Sequence, residues 1–91
     1  MTGNRVVVTG LSAITPLGLD LASSWDALLA GKCGIGRVTR FDTSEYDSKI
    51  AGEVKDFKPT EYIPAKHARR MDRFTQYAVA AGMMLLEHAG Y

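Results

Sequence analysis

Several features that would assign a function at once are scarce or missing in this sequence. Cys33 is the single cysteine, so no disulfide can form within the chain, and two histidines are too few for a credible zinc site. No apolar run approaches the roughly 20 residues of a membrane-spanning helix, and the first residues lack the apolar stretch and cleavage site of a secretion signal. We therefore expect a reduced, cytoplasmic protein with no metal site and no membrane partner.

An excess of one charge sign is also missing. Eleven Lys and Arg residues against ten Asp and Glu residues give a formal net charge of +1. That balance argues against a chain built mainly to bind nucleic acid or a membrane surface. The apolar fraction of 46% and the charged fraction of 23% are ordinary for a globular domain.

Glycine is sparse where a nucleotide would need it. A β-branched run is ended by Gly10, and the chain then continues Leu-Ser-Ala-Ile-Thr-Pro-Leu-Gly, so G-x-G-x-x-G is absent. Pro16 also removes a backbone N–H from the loop that would hold a phosphate. We expect neither a nucleotide nor any other cofactor.

The first third of the chain predicts a strand followed by a helix. Three consecutive valines point to alternate faces, so the strand over Arg5–Leu11 is expected to be an inner strand buried on both faces. Asp20 is the predicted N-cap of the helix, and Gly31 suits the left-handed position after its end. The helix carries an amphipathic stripe of Leu21, Trp25, Leu28 and Leu29.

The rest of the chain predicts an irregular connection over residues 32–48, a short exposed strand over Lys49–Val54, and a long helix over Met71–Ala89 ended by Gly90. That helix is apolar on nearly all sides, as in the interior of a large protein or at a subunit contact. An inner strand and an all-round apolar helix need neighbours that this chain does not supply. Residues 1–91 are therefore interpreted as one incomplete domain.

None of the reactive side chains is assigned a catalytic role. Cys33 follows a predicted helix C-terminus, where the dipole disfavours a thiolate, so a loop role is favoured. His67 lies among basic residues and is interpreted as part of a charged surface. His88 falls in the last helical turn, where a histidine interacts favourably with the dipole.

One basic cluster has a definite functional interpretation. Its four cations are separated by helical spacings of three, four and seven residues, which predict one helical face. Because Asp72 is the single carboxylate within residues 66–73, the segment has an excess of three positive charges. The concentration indicates an acidic partner reached by electrostatic steering, and the alternative is a solvated helix face. The cluster consists of Lys66, Arg69, Arg70 and Arg73.

A series of short motifs resembles the opening of the β-ketoacyl-[acyl-carrier-protein] synthases, most closely the synthase II type of bacterial fatty-acid synthesis. The motifs follow the family's order with similar gaps and cover nearly the whole chain. Ser12 stands where the family usually has glycine and Cys33 where it has serine, which leaves a polyketide-type relative as an alternative. The motifs are Val6–Leu11, Thr15–Gly18, Trp25, Leu28–Gly31, Gly34–Ile35, Phe41–Asp42, Ala51–Phe57 and Arg70–Phe74.

The resemblance implies an α/β, thiolase-like fold, in which two similar halves stack as α-β-α-β-α layers and the enzyme is a homodimer. This chain would be only the N-terminal part of the first half. The implied reaction is the decarboxylative condensation of malonyl-acyl-carrier protein with an acyl thioester, as in fatty-acid elongation. The family's cysteine nucleophile and two histidines lie downstream, beyond Tyr91, so no catalytic residue is expected here and the segment alone would be inactive.

The resemblance also implies a partner for the basic cluster. Carrier proteins are strongly acidic, and the family docks them on basic residues before the long N-terminal helix. Lys66, Arg69 and Arg70 match those positions, whereas the position of Arg73 need not be basic in the family. A different hypothesis is a self-standing small module that binds an acidic partner through the same cluster.

Overall fold

The computed structural model describes residues 3–91 and places a short β-hairpin between helices. The predicted mixture of helices and strands is confirmed. The elements are α1 (Leu21–Leu29), β1 (Ile35–Arg37), β2 (Ile50–Gly52), a 3₁₀ turn (Pro59–Glu61), α2 (Ala65–Ala68) and α3 (Arg73–Ala89).

Helix α1 begins and ends where local chemistry predicts. The Asp20 carboxylate accepts a hydrogen bond from the Ser23 backbone N–H at 2.8 Å, and the Ser23 side chain bonds back to the Asp20 backbone. Gly31 follows the helix with a left-handed φ of 73°. Only the small side chains of Ser24 and Ala27 are buried, however, and the large apolar side chains of the predicted stripe lie half-buried or exposed. The apolar stripe of α1 therefore lacks a packing partner among residues 3–91.

Strands β1 and β2 pair antiparallel, with Gly36 opposite Ala51 at the centre. Strand β2 lies within the predicted strand Lys49–Val54, which is confirmed. The prediction of an irregular connection over residues 32–48 is wrong for β1, because Gly36 and its neighbours form a strand only by pairing with β2.

The predicted inner strand Arg5–Leu11 is not a strand in this structure. The two strands among residues 3–91 pair with each other, so none remains to hydrogen-bond the valine run. Val6 is 91% exposed, and its two neighbouring valines are exposed as well. The expectation that both faces are buried is therefore wrong for this chain alone. The segment is held at its far end, where the Leu11 N–H donates to His88 Nδ1 at 3.0 Å.

Helix α3 begins at Arg73, two residues later than predicted, and ends at Gly90 with a left-handed φ of 86°. Ala80 is fully buried, whereas apolar side chains on several sides remain exposed, including Phe74 at 72%. No helix among residues 3–91 has both the length and the apolar character required to cross a membrane.

The chain leaves far more surface accessible than a self-standing domain of its size. It exposes 7342 Å², whereas a compact monomer of 9.9 kDa exposes about 5,200 Å². Its radius of gyration is 16.7 Å, against about 12 Å for a compact domain of this length. The buried apolar residues are small in number and mostly small in size: Ala27, Ile63, Ala68 and Ala80.

Candidate functional site

Three of the four cations of the basic cluster lie on one continuous helical turn. Pro64 precedes α2, Lys66 lies within it, and Arg69 is its C-cap residue with helical backbone angles. The Arg70 N–H donates to the carbonyl of His67 at 3.0 Å, which continues the turn. Lys66, Arg69 and Arg70 are all exposed and share this turn. They can therefore meet a partner together.

Arg73 lies on a different helix from the other three. Asp72 adopts an extended conformation (φ −68°, ψ 161°) and is the N-cap residue of α3, so the chain turns between Arg70 and Arg73. Aspartate is among the residues that most favour the N-cap position. The prediction that all four cations line one helical face is therefore wrong beyond Arg70.

A glutamine that the sequence interpretation missed joins the two helices at this corner. Gln76, in the second turn of α3, donates from Nε2 to the carbonyl of Ala68 at 3.0 Å. The same carbonyl accepts the N–H of Met71 at 3.1 Å. Ala68 is buried, so its carbonyl has few other donors. Gln76 thus fixes the end of α2, and with it the basic turn, against α3.

An aromatic cluster formed by Phe57, Tyr62 and Tyr77 lies against the first residue of α3. The rings of Phe57 and Tyr62 are stacked at 6.3 Å between centroids, and those of Phe57 and Tyr77 meet edge-on at 5.0 Å. The guanidinium carbon of Arg73 lies 5.8 Å from the centroid of Phe57, within the range of a cation–π contact. The Tyr77 hydroxyl is buried and has no hydrogen-bond partner among residues 3–91. Phe57 ends the motif Ala51–Phe57, but no short motif in the sequence predicts that the three rings meet.

The other candidates have separate surroundings. Cys33 is exposed in the loop after α1, as predicted, and its sulfur contacts the carbonyl of Ile35 at 3.7 Å. His67 is exposed within α2, beside the basic turn, as predicted. His88 accepts the hydrogen bond from Leu11, so its ring anchors the N-terminal segment. Within residues 3–91, no three histidine, cysteine or acidic side chains gather closely enough to hold a metal ion.

The buried acid Glu53 is a structural group. Its carboxylate accepts hydrogen bonds from the Thr39 backbone N–H, at 3.2 and 3.3 Å, and from the Thr39 hydroxyl at 2.9 Å. Burial acts to raise the pKa of Glu53, but the bonds from Thr39 and the nearby Arg40 together outweigh it and hold the pKa below its ordinary value. The carboxylate therefore stays ionised and ties the two sides of the hairpin together.

The chain is similar to a known protein family over nearly its whole length. A family model described as the N-terminal domain of beta-ketoacyl synthases matches residues 3–91. This chain belongs to the β-ketoacyl synthase family. The resemblance found in the sequence motifs is thereby confirmed.

Relatives within the β-ketoacyl synthase family give a finer placement. The chain is 47% identical over 90 residues to 3-oxoacyl-[acyl-carrier-protein] synthase 2 of Vibrio harveyi, covering 99% of this chain and 22% of that protein. It is 49% identical over 85 residues to the synthase of the same name from Synechocystis sp., covering 93% and 20%. The chain thus spans about a fifth of the length of the curated relatives it matches.

A solved structure shows the fold of this β-ketoacyl synthase segment. The ishigamide ketosynthase/chain length factor superposes with a TM-score of 0.80 at 36% identity, covering 93% of this chain and 21% of that one. The predicted α/β, thiolase-like fold is therefore confirmed. Residues 3–91 leave a large apolar surface exposed. The curated relatives that the chain matches are about five times longer.

Proposed function

We propose that residues 1–91 are the N-terminal segment of the first thiolase-like half of a β-ketoacyl-[acyl-carrier-protein] synthase that elongates fatty acyl chains. The observation that carries the proposal is the similarity, 47% identity over 90 residues and 99% of this chain, to a protein named as a synthase of this type. The large apolar surface of the segment supports a scaffold role within a longer chain and counts against a self-standing binding module. The complete enzyme is proposed to be a cytoplasmic homodimer.

The proposed reaction is a decarboxylative condensation. A cysteine thiolate takes the acyl group from its thioester and releases the carrier thiol. Malonyl-carrier protein then loses carbon dioxide, and the resulting carbanion attacks the acyl-enzyme, forming a carbon–carbon bond and releasing the thiolate. In this proposal the nucleophile and the two assisting histidines lie outside residues 1–91, so the segment alone is inactive.

The segment contributes a docking surface for the acyl carrier protein. Lys66, Arg69 and Arg70 form this docking patch. The assignment is supported by their exposure, by the helical turn that they share, and by the hydrogen bond from Gln76 that fixes this turn against α3. An acidic carrier protein would be steered to them by charge. Because each cation is exposed, its contribution is on the order of 1 kcal/mol or less and falls as salt rises.

The docking patch is tested by reversing its charges in the complete synthase. Lys66→Glu and Arg69→Glu are expected to raise KM for an acyl-carrier-protein substrate, whereas an acyl-coenzyme A substrate, which lacks the acidic protein, loses little. Arg37→Glu is the matched control, since Arg37 is an equally exposed cation on β1. Equal effects of Lys66→Glu on both substrates contradict the docking assignment.

A polyketide-type ketosynthase is the second candidate. It is favoured by the structural likeness to the ishigamide ketosynthase/chain length factor, at 36% identity. The two candidates are separated by assaying condensation with the carrier protein of fatty-acid synthesis and with a polyketide carrier protein. Faster condensation on the polyketide carrier would replace the first candidate by the second.

A further inference from the structure

Arg73 occupies a position that helix stability does not explain. It is the first residue of α3, and the first turn of this helix contains no acidic side chain. The N-terminal end of a helix carries the positive end of the macrodipole and favours negative side chains there. A cation at this position adds to the positive potential at the helix end, whereas the neighbouring N-cap residue Asp72 carries the compensating negative charge. The benefit of Arg73 is therefore expected to come from a contact outside the helix.

The side chain of Arg73 nevertheless contacts an aromatic ring, near the outer limit of the cation–π range. Its guanidinium lies over the ring of Phe57, which is half-buried and packed between Tyr62 and Tyr77. A planar guanidinium stacks well on an aromatic face, whereas a lysine ammonium lacks the matching plane. Arg73 itself remains exposed, so the cation is still accessible to a partner.

We propose that Arg73 is a fourth contact residue for the acidic carrier protein, and that Phe57 is a positioning residue that orders it before the partner arrives. The inference rests on the proposed docking function. Arg73 follows the docking patch by three residues, and the bond from Gln76 to Ala68 fixes the helix that carries Arg73 against the end of α2. Ordering a flexible side chain in advance lowers the entropy lost on binding, so an arginine restrained by its contact with Phe57 is expected to bind an acidic group more tightly than a free one.

The experiment measures the Kd of the complete synthase for purified acyl carrier protein by isothermal titration, at low and at high salt. Arg73→Gln is expected to weaken binding about 1.4- to fivefold at low salt, the range of one exposed charge contact, and less at high salt. Arg73→Lys keeps the charge but loses the stacking plane, so it is expected to fall between wild type and Arg73→Gln. Arg37→Gln, which removes an equally exposed cation on β1, is the matched control.

Phe57 is tested through its dependence on Arg73. Phe57→Leu is expected to weaken binding in the wild-type background and to have no further effect when Arg73→Gln is already present, whereas Phe57→Tyr, which retains the aromatic face, keeps wild-type affinity. If Phe57→Leu weakens binding equally in both backgrounds, Phe57 acts through general structure and the positioning role is wrong. Melting temperatures of all variants show whether any loss reflects unfolding. If Phe57→Leu does not fold, Arg73→Lys decides the question, because wild-type affinity of that variant contradicts the positioning role.

The outcomes separate this inference from the docking proposal. If Lys66→Glu weakens carrier-protein binding and Arg73→Gln matches Arg37→Gln, the docking patch stands and Arg73 is not part of it. If none of these substitutions changes the Kd, the docking proposal itself fails. Loss of affinity for Lys66→Glu and Arg73→Gln, with Arg37→Gln unchanged, supports both.

Discussion

Replacing Gly10 by alanine is expected to open the contact between the N-terminal segment and α3. A Cβ at residue 10 would lie 2.8 Å from the Cβ of Ala89, 3.1 Å from its backbone N and 3.2 Å from its Cα. All three atoms are backbone atoms or the Cβ of Ala89, the last residue of α3, so no side-chain rotation can relieve the overlap. The segment or the helix end must move by several tenths of an ångström, and overpacking of this kind costs about 1–3 kcal/mol.

The loss of stability is measured most directly at the neighbouring Leu11 amide, which donates a hydrogen bond to His88 Nδ1 at 3.0 Å. Since about 1.4 kcal/mol corresponds to a factor of ten, local opening is expected to become about five- to 150-fold more frequent. Hydrogen exchange of the complete synthase, followed by mass spectrometry on peptides spanning residues 11–14, measures this change. Gly82→Ala is the matched control, because no atom of residues 3–91 outside the helix's own backbone lies within 4 Å of a Cβ at Gly82, and its backbone is not in the left-handed region.

Gly82→Ala is expected to leave exchange at residues 11–14 unchanged and to stabilise α3 by about 0.5–1 kcal/mol, the usual gain from replacing glycine within a helix. Both variants replace glycine by alanine, but the expected changes in stability have opposite signs. A difference between the two variants therefore reflects the position of the glycine and not the alanine itself. Exchange in Gly10→Ala within twofold of wild type would refute the close approach of the N-terminal segment to α3.

Three further predictions concern stability. Asp20→Ala should destabilise α1 by about 1 kcal/mol. The side-chain and backbone hydrogen bonds of Ser23 lower the pKa of Asp20 below its ordinary value of 3.8, so this cap is intact above about pH 4 and is lost as the pH falls further. Thermal melts of wild type and Asp20→Asn between about pH 2 and 6 measure the loss. Tyr77→Phe removes a buried hydroxyl without a partner among residues 3–91 and should keep or raise stability in urea unfolding, whereas a loss above about 1 kcal/mol would reveal a partner outside those residues. The isolated 91-residue chain should bind a hydrophobic dye and melt without a sharp transition, and a cooperative monomer that binds no dye would support the self-standing module instead.

The ends of the helices could be predicted because they depend on a few adjacent residues. Asp20 caps α1 through Ser23, and Gly31 and Gly90 adopt left-handed backbones that other residues rarely tolerate. The strands depend on distant partners and were predicted less well. Ile35 belongs to a strand only because Gly52 lies opposite it, 17 residues later, and local propensity carries no information about that pairing.

The candidate site also has features that the sequence predicts and features that it does not. The charges of Lys66, Arg69 and Arg70 are visible in the sequence, and their common turn follows from spacing. The break before Arg73 depends on the extended backbone of Asp72, which helical spacing alone did not reveal. The contact between Arg73 and Phe57 joins side chains 16 positions apart, and an arginine near an aromatic residue is too common for its sequence separation to predict a contact.

The hydrogen bonds that hold the N-terminal segment can form only late in synthesis, because their partners lie near the end of residues 3–91. Leu11 bonds to a residue 77 positions later, and the Ser12 hydroxyl to a carbonyl 69 positions later. At about 5–20 residues per second, the ribosome needs roughly 4–15 s to supply those partners after the segment itself. The valine run at residues 6–8 is exposed even when those bonds are in place, so α3 anchors Leu11 and Ser12 without covering the valines. An unpaired apolar segment of this kind is prone to aggregation during synthesis, and formation of α3 alone does not remove that need for chaperone protection.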